Sequence, residues 1–118
     1  MMQEDKDLLL QDLCGRIPYG VKYSCTDVKN VWRLKTIFTR SDNSVFCDGC
    51  NALELCRPYL FPLSSMTEEQ KTSHNFLKHS AYASPIKLID FYNKNHFDYR
   101  GLIHKGLAID CTNLNIYV

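Results

Sequence analysis

The chain has 118 residues, 45% of them hydrophobic and 23% charged, with 14 basic against 13 acidic side chains. This composition is typical of one globular domain spanning residues 1–118, and it excludes a disordered chain, a low-complexity protein and a strongly basic histone-like binder.

The N-terminal segment predicts a helix and a cytoplasmic protein. Leucines recur at helical spacing over residues 8–13, acidic residues lie in the first turn, and Gly15 can end the helix, so we expect helix 1 over about residues 4–14. The acidic start lacks the basic region of a secretory signal, and no apolar run is long enough for a membrane helix. In a reducing cytosol the six cysteines stay free, and we expect Cys14, Cys25 and Cys111 to be small core residues.

The central part of the chain predicts a sheet of three to five antiparallel strands. Alternation of polar and apolar residues predicts strands over residues 21–25 and 31–38, and short apolar runs at residues 45–47 and 52–56 complete a four-stranded meander. Residues 57–63 (RPYLFPL) contain two prolines, which lack the amide that a strand ladder needs. We therefore expect this segment to be an extended connector and not a central strand.

The C-terminal part predicts helices and a last strand. Thr67 and Gln70 have the spacing of a capping box, which predicts helix 2 over residues 68–79, and Ser84-Pro85 begins a helix over about residues 85–95. A short helix from Asp98 to Lys105 and a strand near residues 107–109 follow. The predicted fold class is α+β: an N-terminal helix, the antiparallel sheet, and C-terminal helices packed on one face.

Three stretches of the chain resemble one family: residues 8–22 (LLLQDLCGRIPYGVK), 57–70 (RPYLFPLSSMTEEQ) and 96–108 (HFDYRGLIHKGLA). They are similar to an uncharacterised family of small proteins from gut-type anaerobic bacteria, their prophages and mobile elements. The resemblance implies a single cytoplasmic domain with no known enzymatic activity. The Cys47/Cys50 pair is not part of the family pattern.

A metal site is one hypothesis for the cysteines. Cys47 and Cys50 have the spacing of a zinc knuckle, and Cys56 and His74 are the candidates for the remaining ligands. A hairpin turn flanked by reduced thiols explains the same residues. We therefore predict no metal and no other cofactor.

Catalysis is a second hypothesis, suggested by four histidines together with Asp90 and Asp98. Their spacing matches no catalytic pattern. We expect His96 to lie at the end of a helix and Asp98 to cap the next turn, and we predict that the protein is not an enzyme.

Two surfaces are candidates for binding. The strands around residues 21–38 carry basic residues with Tyr19 and Tyr23 nearby. They form a candidate nucleic-acid or partner surface made of Tyr19, Lys22, Lys29, Arg33 and Lys35. The stiff segment with Arg57, Tyr59 and Phe61 is either a docking segment or, as we expect, a cover for the sheet edge.

Two functions from different classes follow. The first is a non-enzymatic interaction protein of phage or mobile-element type that binds a larger protein or ribonucleoprotein, for example an anti-defence inhibitor of a CRISPR nuclease. The alternative is a small nucleic-acid-binding accessory or regulatory domain that uses the same basic strands. The oligomeric state is left open.

Overall fold

The fold is α+β, as predicted. A computed structural model describes residues 2–25, 30–48, 51–81 and 83–117. These residues form the helices α1 (Gln3–Arg16), α2 (Glu68–His79) and α3 (Pro85–Lys94). They also form the strands β1 (Lys22–Ser24), β2 (Trp32–Arg33), β3 (Ile37–Thr39), β4 (Val45–Cys47), β5 (Asn51–Ala52), β6 (Arg57–Pro62), β7 (Phe97–Asp98) and β8 (Ile109–Asp110).

The helix ends follow local chemistry. Helix α2 begins at a capping box, in which the Thr67 hydroxyl accepts the Gln70 amide and the Gln70 side chain accepts the Thr67 amide. The predicted helix after Asp98 is wrong, because this segment forms turns. Its carboxylate nevertheless caps the turn as expected, accepting the amides of Leu102 and Ile103 at 2.9 Å each.

The strands form two sheets where one antiparallel sheet was predicted. In the five-stranded sheet, β1 pairs antiparallel with β2 and β6, whereas β6 pairs parallel with β7 and β8. In the three-stranded sheet, β3, β4 and β5 form an antiparallel meander. The predicted strand over residues 31–38 is split between the two sheets, and only Asn51–Ala52 of the predicted strand near residues 52–56 is extended, followed by a 3-10 turn.

The proline-containing segment is the central strand, so its prediction as a connector is wrong. Backbone amides of alternate residues point to the same edge of a strand, and therefore Pro58 and Pro62 remove donors from one edge only. The amide of Phe61 points to the other edge and donates to the His96 carbonyl at 2.8 Å. The Leu60 carbonyl accepts from the Cys111 amide at 2.9 Å.

The side chains of this strand are buried or half-buried, which favours the expected covering role over a docking segment. Tyr59 is fully buried, and its hydroxyl donates to the Asn30 carbonyl. Phe61 is half-buried against the rings of Phe97 and Tyr117. Arg57 donates to the carbonyls of Glu54, Cys56 and Gly106, so all three predicted docking residues hold the fold together.

The main core lies between α1 and the five-stranded sheet. Leu9 and Leu13 of α1 pack with Val21, Tyr23 and Leu60 from the sheet. A second cluster joins Met66, Tyr92 and Phe97, where α3 contacts β7 and α2 packs against α3. Of the predicted core cysteines, Cys25 and Cys111 are buried, but Cys14 is exposed on α1. Across the described residues, every helix is too short or too polar to cross a membrane.

Candidate partner-binding groove

An open groove of about 680 Å³ lies where the chain passes from β2 to β3. Between these strands the side chain of Leu34 enters the core, and its amide donates to the Val21 carbonyl. This anchor leaves the residues on either side at the surface. The groove is lined by Val31, Trp32, Arg33, Lys35, Thr36, Phe38 and Asp48.

Asp48 fixes the floor of the groove. One of its carboxylate oxygens, Oδ1, accepts the amides of Lys35 at 2.9 Å and Thr36 at 3.0 Å, and its own amide donates to the Thr36 carbonyl. The other oxygen, Oδ2, accepts the Tyr23 hydroxyl at 3.0 Å. The residue has a left-handed backbone, with φ of 48°. These bonds tie the β2–β3 crossing to the buried strand β1, so the groove has a rigid backbone.

Buried Tyr23 carries this connection into the core. Its hydroxyl also accepts the Asn51 side-chain amide at 2.9 Å. Burial raises the pKa of the Tyr23 hydroxyl, with Asp48 adding to the rise, while the Asn51 bond lowers it. Tyr23 therefore stays protonated and donates to Asp48.

Two aromatic rings remain exposed in the groove. The side chains of Trp32 and Phe38 are each 39% accessible to solvent. Each is held by another ring: Trp32 lies 5.7 Å from Tyr23, and Phe38 stacks on Phe46 at 5.7 Å with an angle of 20°. The rings are thus positioned by packing but keep an accessible surface.

Two cations share the groove with these rings. Arg33 and Lys35 are exposed, and neither forms an ion pair with any other described residue. A third cation lies close by, because the guanidinium of Arg40 is 4.1 Å from the centre of the Phe46 ring. The side chain of Arg33 lies over Gly20: a Cβ atom added to Gly20 would be 3.5 Å from the Nε atom of Arg33.

The structure brings together only part of the predicted basic surface. Arg33 and Lys35 lie in the groove, but the Lys22 ammonium donates to the Ile116 carbonyl at 2.9 Å and serves the C-terminal segment. Tyr19 is exposed elsewhere, with its hydroxyl 3.5 Å from an oxygen of Asp90. Lys29 lies outside the described residues.

Sequence reasoning missed the rings of the groove. The alternation that predicts a strand over residues 31–38 puts Trp32, Leu34 and Phe38 on one face, but of these three only Leu34 is buried. The segment divides between two sheets, and β2 and β3 are each at the edge of one of them. No local signal in the sequence marks that division.

The residues of the metal hypothesis are divided between two parts of the molecule. Cys47 and Cys56 lie in the main core with Cys25, and the Cys56 thiol donates to the Ala52 carbonyl at 3.3 Å. His74 instead contacts Tyr92 of the second cluster, with its Nε2 atom 2.7 Å from the Tyr92 hydroxyl. Cys50 is outside the described part of the chain, within which no group of three or more His, Cys, Asp or Glu residues is arranged to hold a metal.

The residues of the catalytic hypothesis have structural roles. Both oxygens of Asp98 cap the following turn, and the His96 ring stacks on Tyr117 at 3.7 Å. Burial, together with the charges of Arg16 and Lys22, lowers the pKa of His96 to about 4. The ring is therefore neutral near pH 7 and packs against the Tyr117 ring.

Comparisons with known proteins add nothing to this geometry. The chain matches no protein-family model, no curated protein and no solved structure. Function is therefore inferred from the groove.

Proposed function

We propose that this protein is a non-enzymatic binding protein and that the groove at β2 and β3 is the surface that holds a larger macromolecular partner. The observation that carries the proposal is the pairing of two exposed rings, Trp32 and Phe38, with two cations that have no acidic partner among the described residues. The partner is a larger protein or a ribonucleoprotein, and the protein acts in the cytoplasm. A CRISPR nuclease, the example of an anti-defence target given above by analogy, belongs to this class.

The groove has the composition of a binding surface. Aromatic residues and arginine are enriched where macromolecules meet. Aromatic rings bury a large area at a small cost in conformational entropy. The Asp48 bonds hold the backbone beneath Lys35 and Thr36 in place before any partner arrives. Such preorganisation reduces the entropy that is lost on binding.

The other polar groups of the molecule support a binding role over a catalytic one. Of the residues considered for catalysis, Asp98 caps a turn with both of its oxygens and the His96 ring stacks on Tyr117. Among the described residues that line the groove, the one carboxylate, Asp48, accepts hydrogen bonds at both oxygens. What the groove offers to solvent is therefore aromatic surface and positive charge.

Site-specific photocrosslinking tests the proposal. We place benzoylphenylalanine at position 38 in the groove and, as a matched control, at Phe76, an exposed phenylalanine on α2. After irradiation in an extract of cells that produce the protein, we expect one discrete macromolecular adduct from position 38 and none from position 76. Introducing Arg33→Glu and Lys35→Glu should remove the adduct. The absence of a discrete adduct from position 38, or the same adduct from both positions, would contradict the proposal.

A further inference from the structure

We infer that the occupant of the groove is a segment of single-stranded nucleic acid, whose bases stack on Trp32 and Phe38 and whose phosphates lie against Arg33 and Lys35. This inference rests on the proposed function and names the occupant of the groove. The single strand is either free or the nucleic acid of a ribonucleoprotein.

The shape of the groove favours bases over the apolar anchors of a peptide. An anchoring side chain gains its binding energy in an enclosed pocket that excludes water. Here the rings of Trp32 and Phe38 lie in a groove that is open to solvent. An exposed ring suits stacking, since every unpaired base offers a flat face of its own.

The charge of the groove favours an anionic occupant. Arg33 and Lys35 line it, and Arg40 lies beside it on the Phe46 ring. The one carboxylate in the described lining, Asp48, has its oxygens directed at the Lys35 and Thr36 amides and at Tyr23. Exposed cations alternating with stacking rings are the combination with which proteins bind single strands.

The sequence of the crossing places two cations between two rings. Trp32 and Arg33 are neighbours on β2, Lys35 follows Leu34, and Phe38 lies on β3. A strand of nucleic acid also carries charged phosphates between its flat bases. The open groove between β2 and β3 lets both kinds of contact form along one path.

Fluorescence anisotropy tests this inference with defined probes. Fluorescein-labelled decamers of thymidylate and of uridylate are titrated with the full chain, and a labelled 20-base-pair DNA duplex serves as comparison. We expect saturable binding of at least one decamer with a Kd of about 1–100 µM and weaker binding of the duplex, since paired bases cannot stack on the rings. The two decamers distinguish DNA from RNA.

Variants separate the stacking rings from the phosphate-binding cations. Trp32→Ala should weaken decamer binding about fivefold or more, whereas Trp32→Phe should retain most of it. Arg33→Ala with Lys35→Ala should reduce the slope of log K against log salt concentration by about 1.4, at about 0.7 for each phosphate that is no longer neutralised. Lys87→Ala with Lys94→Ala removes two exposed cations from α3 and should leave the slope unchanged. Circular dichroism and thermal unfolding establish that each variant is folded.

The outcomes distinguish this inference from the proposed function. If no decamer binds, or if the duplex binds as tightly as the decamers, the inference is overturned. A discrete protein adduct from position 38 would then leave the proposed function standing with an acidic protein segment as occupant. If no decamer bound and position 38 gave no discrete adduct, both the inference and the proposed function would be overturned.

Discussion

The body around α1 and the five-stranded sheet and the crossing at residues 31–38 use the same kinds of residue in opposite ways. In the body, buried Arg16 is paired with buried Asp12 at 2.7 Å and also donates to the Phe97 carbonyl. At the crossing, Arg33 and Lys35 face solvent beside exposed rings. The body stabilises the fold, whereas the crossing carries the surface that we propose for binding.

The buried charges of the body are held by hydrogen bonds and ion pairs. Asp12 accepts two bonds from Arg16, and the Nε atom of Arg100 lies 3.4 Å from its Oδ1 atom. Burial still raises the pKa of Asp12, because desolvation outweighs the attraction of these cations. The pair therefore depends on both of its members remaining in place.

The largest effect should come from breaking the buried pair. Asp12→Ala leaves the Arg16 charge unpaired in the core and should lower the free energy of unfolding by about 3–5 kcal/mol in urea denaturation. The control is Lys6→Ala, which breaks the half-exposed Lys6–Glu54 bridge and should cost at most about 1 kcal/mol. Equal effects from the two variants would mean that the body tolerates unpaired charge as the surface does.

Two phenylalanines test the same contrast for apolar side chains. Phe61→Ala removes a ring packed against Phe97 and Tyr117 and should cost about 3 kcal/mol. Phe76→Ala alters a side chain that is 64% exposed and should change stability by less than about 0.5 kcal/mol. Thermal and urea unfolding measure both, and an unchanged stability for Phe61→Ala would show that this strand does not hold the fold.

Lowering the pH should destabilise the folded protein through protonation of His96. Its pKa is about 4 in the folded state and about 6.5 in the unfolded chain, so the unfolded state binds the proton first as the pH falls. The neutral ring therefore contributes its full stabilisation above pH 6.5. As the pH falls towards 4 this contribution is lost, which should lower the free energy of unfolding by about 2 kcal/mol for a partly exposed ring. His96→Asn should remove this part of the pH dependence, because asparagine tolerates the φ of 61°. If the free energy of unfolding of the unchanged protein and of His96→Asn varied with pH in the same way, the lowered pKa of His96 would be contradicted.

A smaller effect is expected at the helix starts outside the body. Thr67→Ala removes the hydroxyl that accepts the Gln70 amide in the α2 capping box and should cost about 1 kcal/mol. The matched control is Ser84→Ala at the start of α3, where the serine makes no side-chain capping bond and its loss should change little. Urea unfolding measures both variants, and a larger effect at Ser84 than at Thr67 would reverse this ranking.

The smallest effect on stability should come from the groove itself. Arg33→Ala with Lys35→Ala should change the free energy of unfolding by less than about 0.5 kcal/mol, because these side chains are exposed and have no ion-pair partner among the described residues. The same variant should lose binding. A clear loss of stability would show that the two cations hold the crossing in place. It would contradict the contrast between a body that stabilises the fold and a crossing proposed for binding.

The prediction of the fold from sequence succeeded where the signals are local. The limits of α2 agree with the prediction because Thr67 and Gln70 satisfy each other within one turn. Gly106 adopts the left-handed backbone expected at the end of a turn. For the groove, sequence predicted Arg33 and Lys35 as surface cations, and the structure places both in its lining.

Failures came where burial depends on distant partners. Pro58 and Pro62 argued against a central strand, yet β6 is central because its prolines leave one edge intact for Phe61. Trp32 and Phe38 have the alternation of core residues but remain exposed, since each lies on a short strand at the edge of a different sheet.

The sequence by itself determined the α+β class, the helix starts and the position of the basic segment, because these depend on side chains within one or two turns of each other. Only the tertiary structure decided which strand is central, which arginine is buried and which rings face solvent. Those outcomes depend on pairing between strands far apart in the chain, such as β6 with β7 and β8, and a local pattern carries no information about such partners.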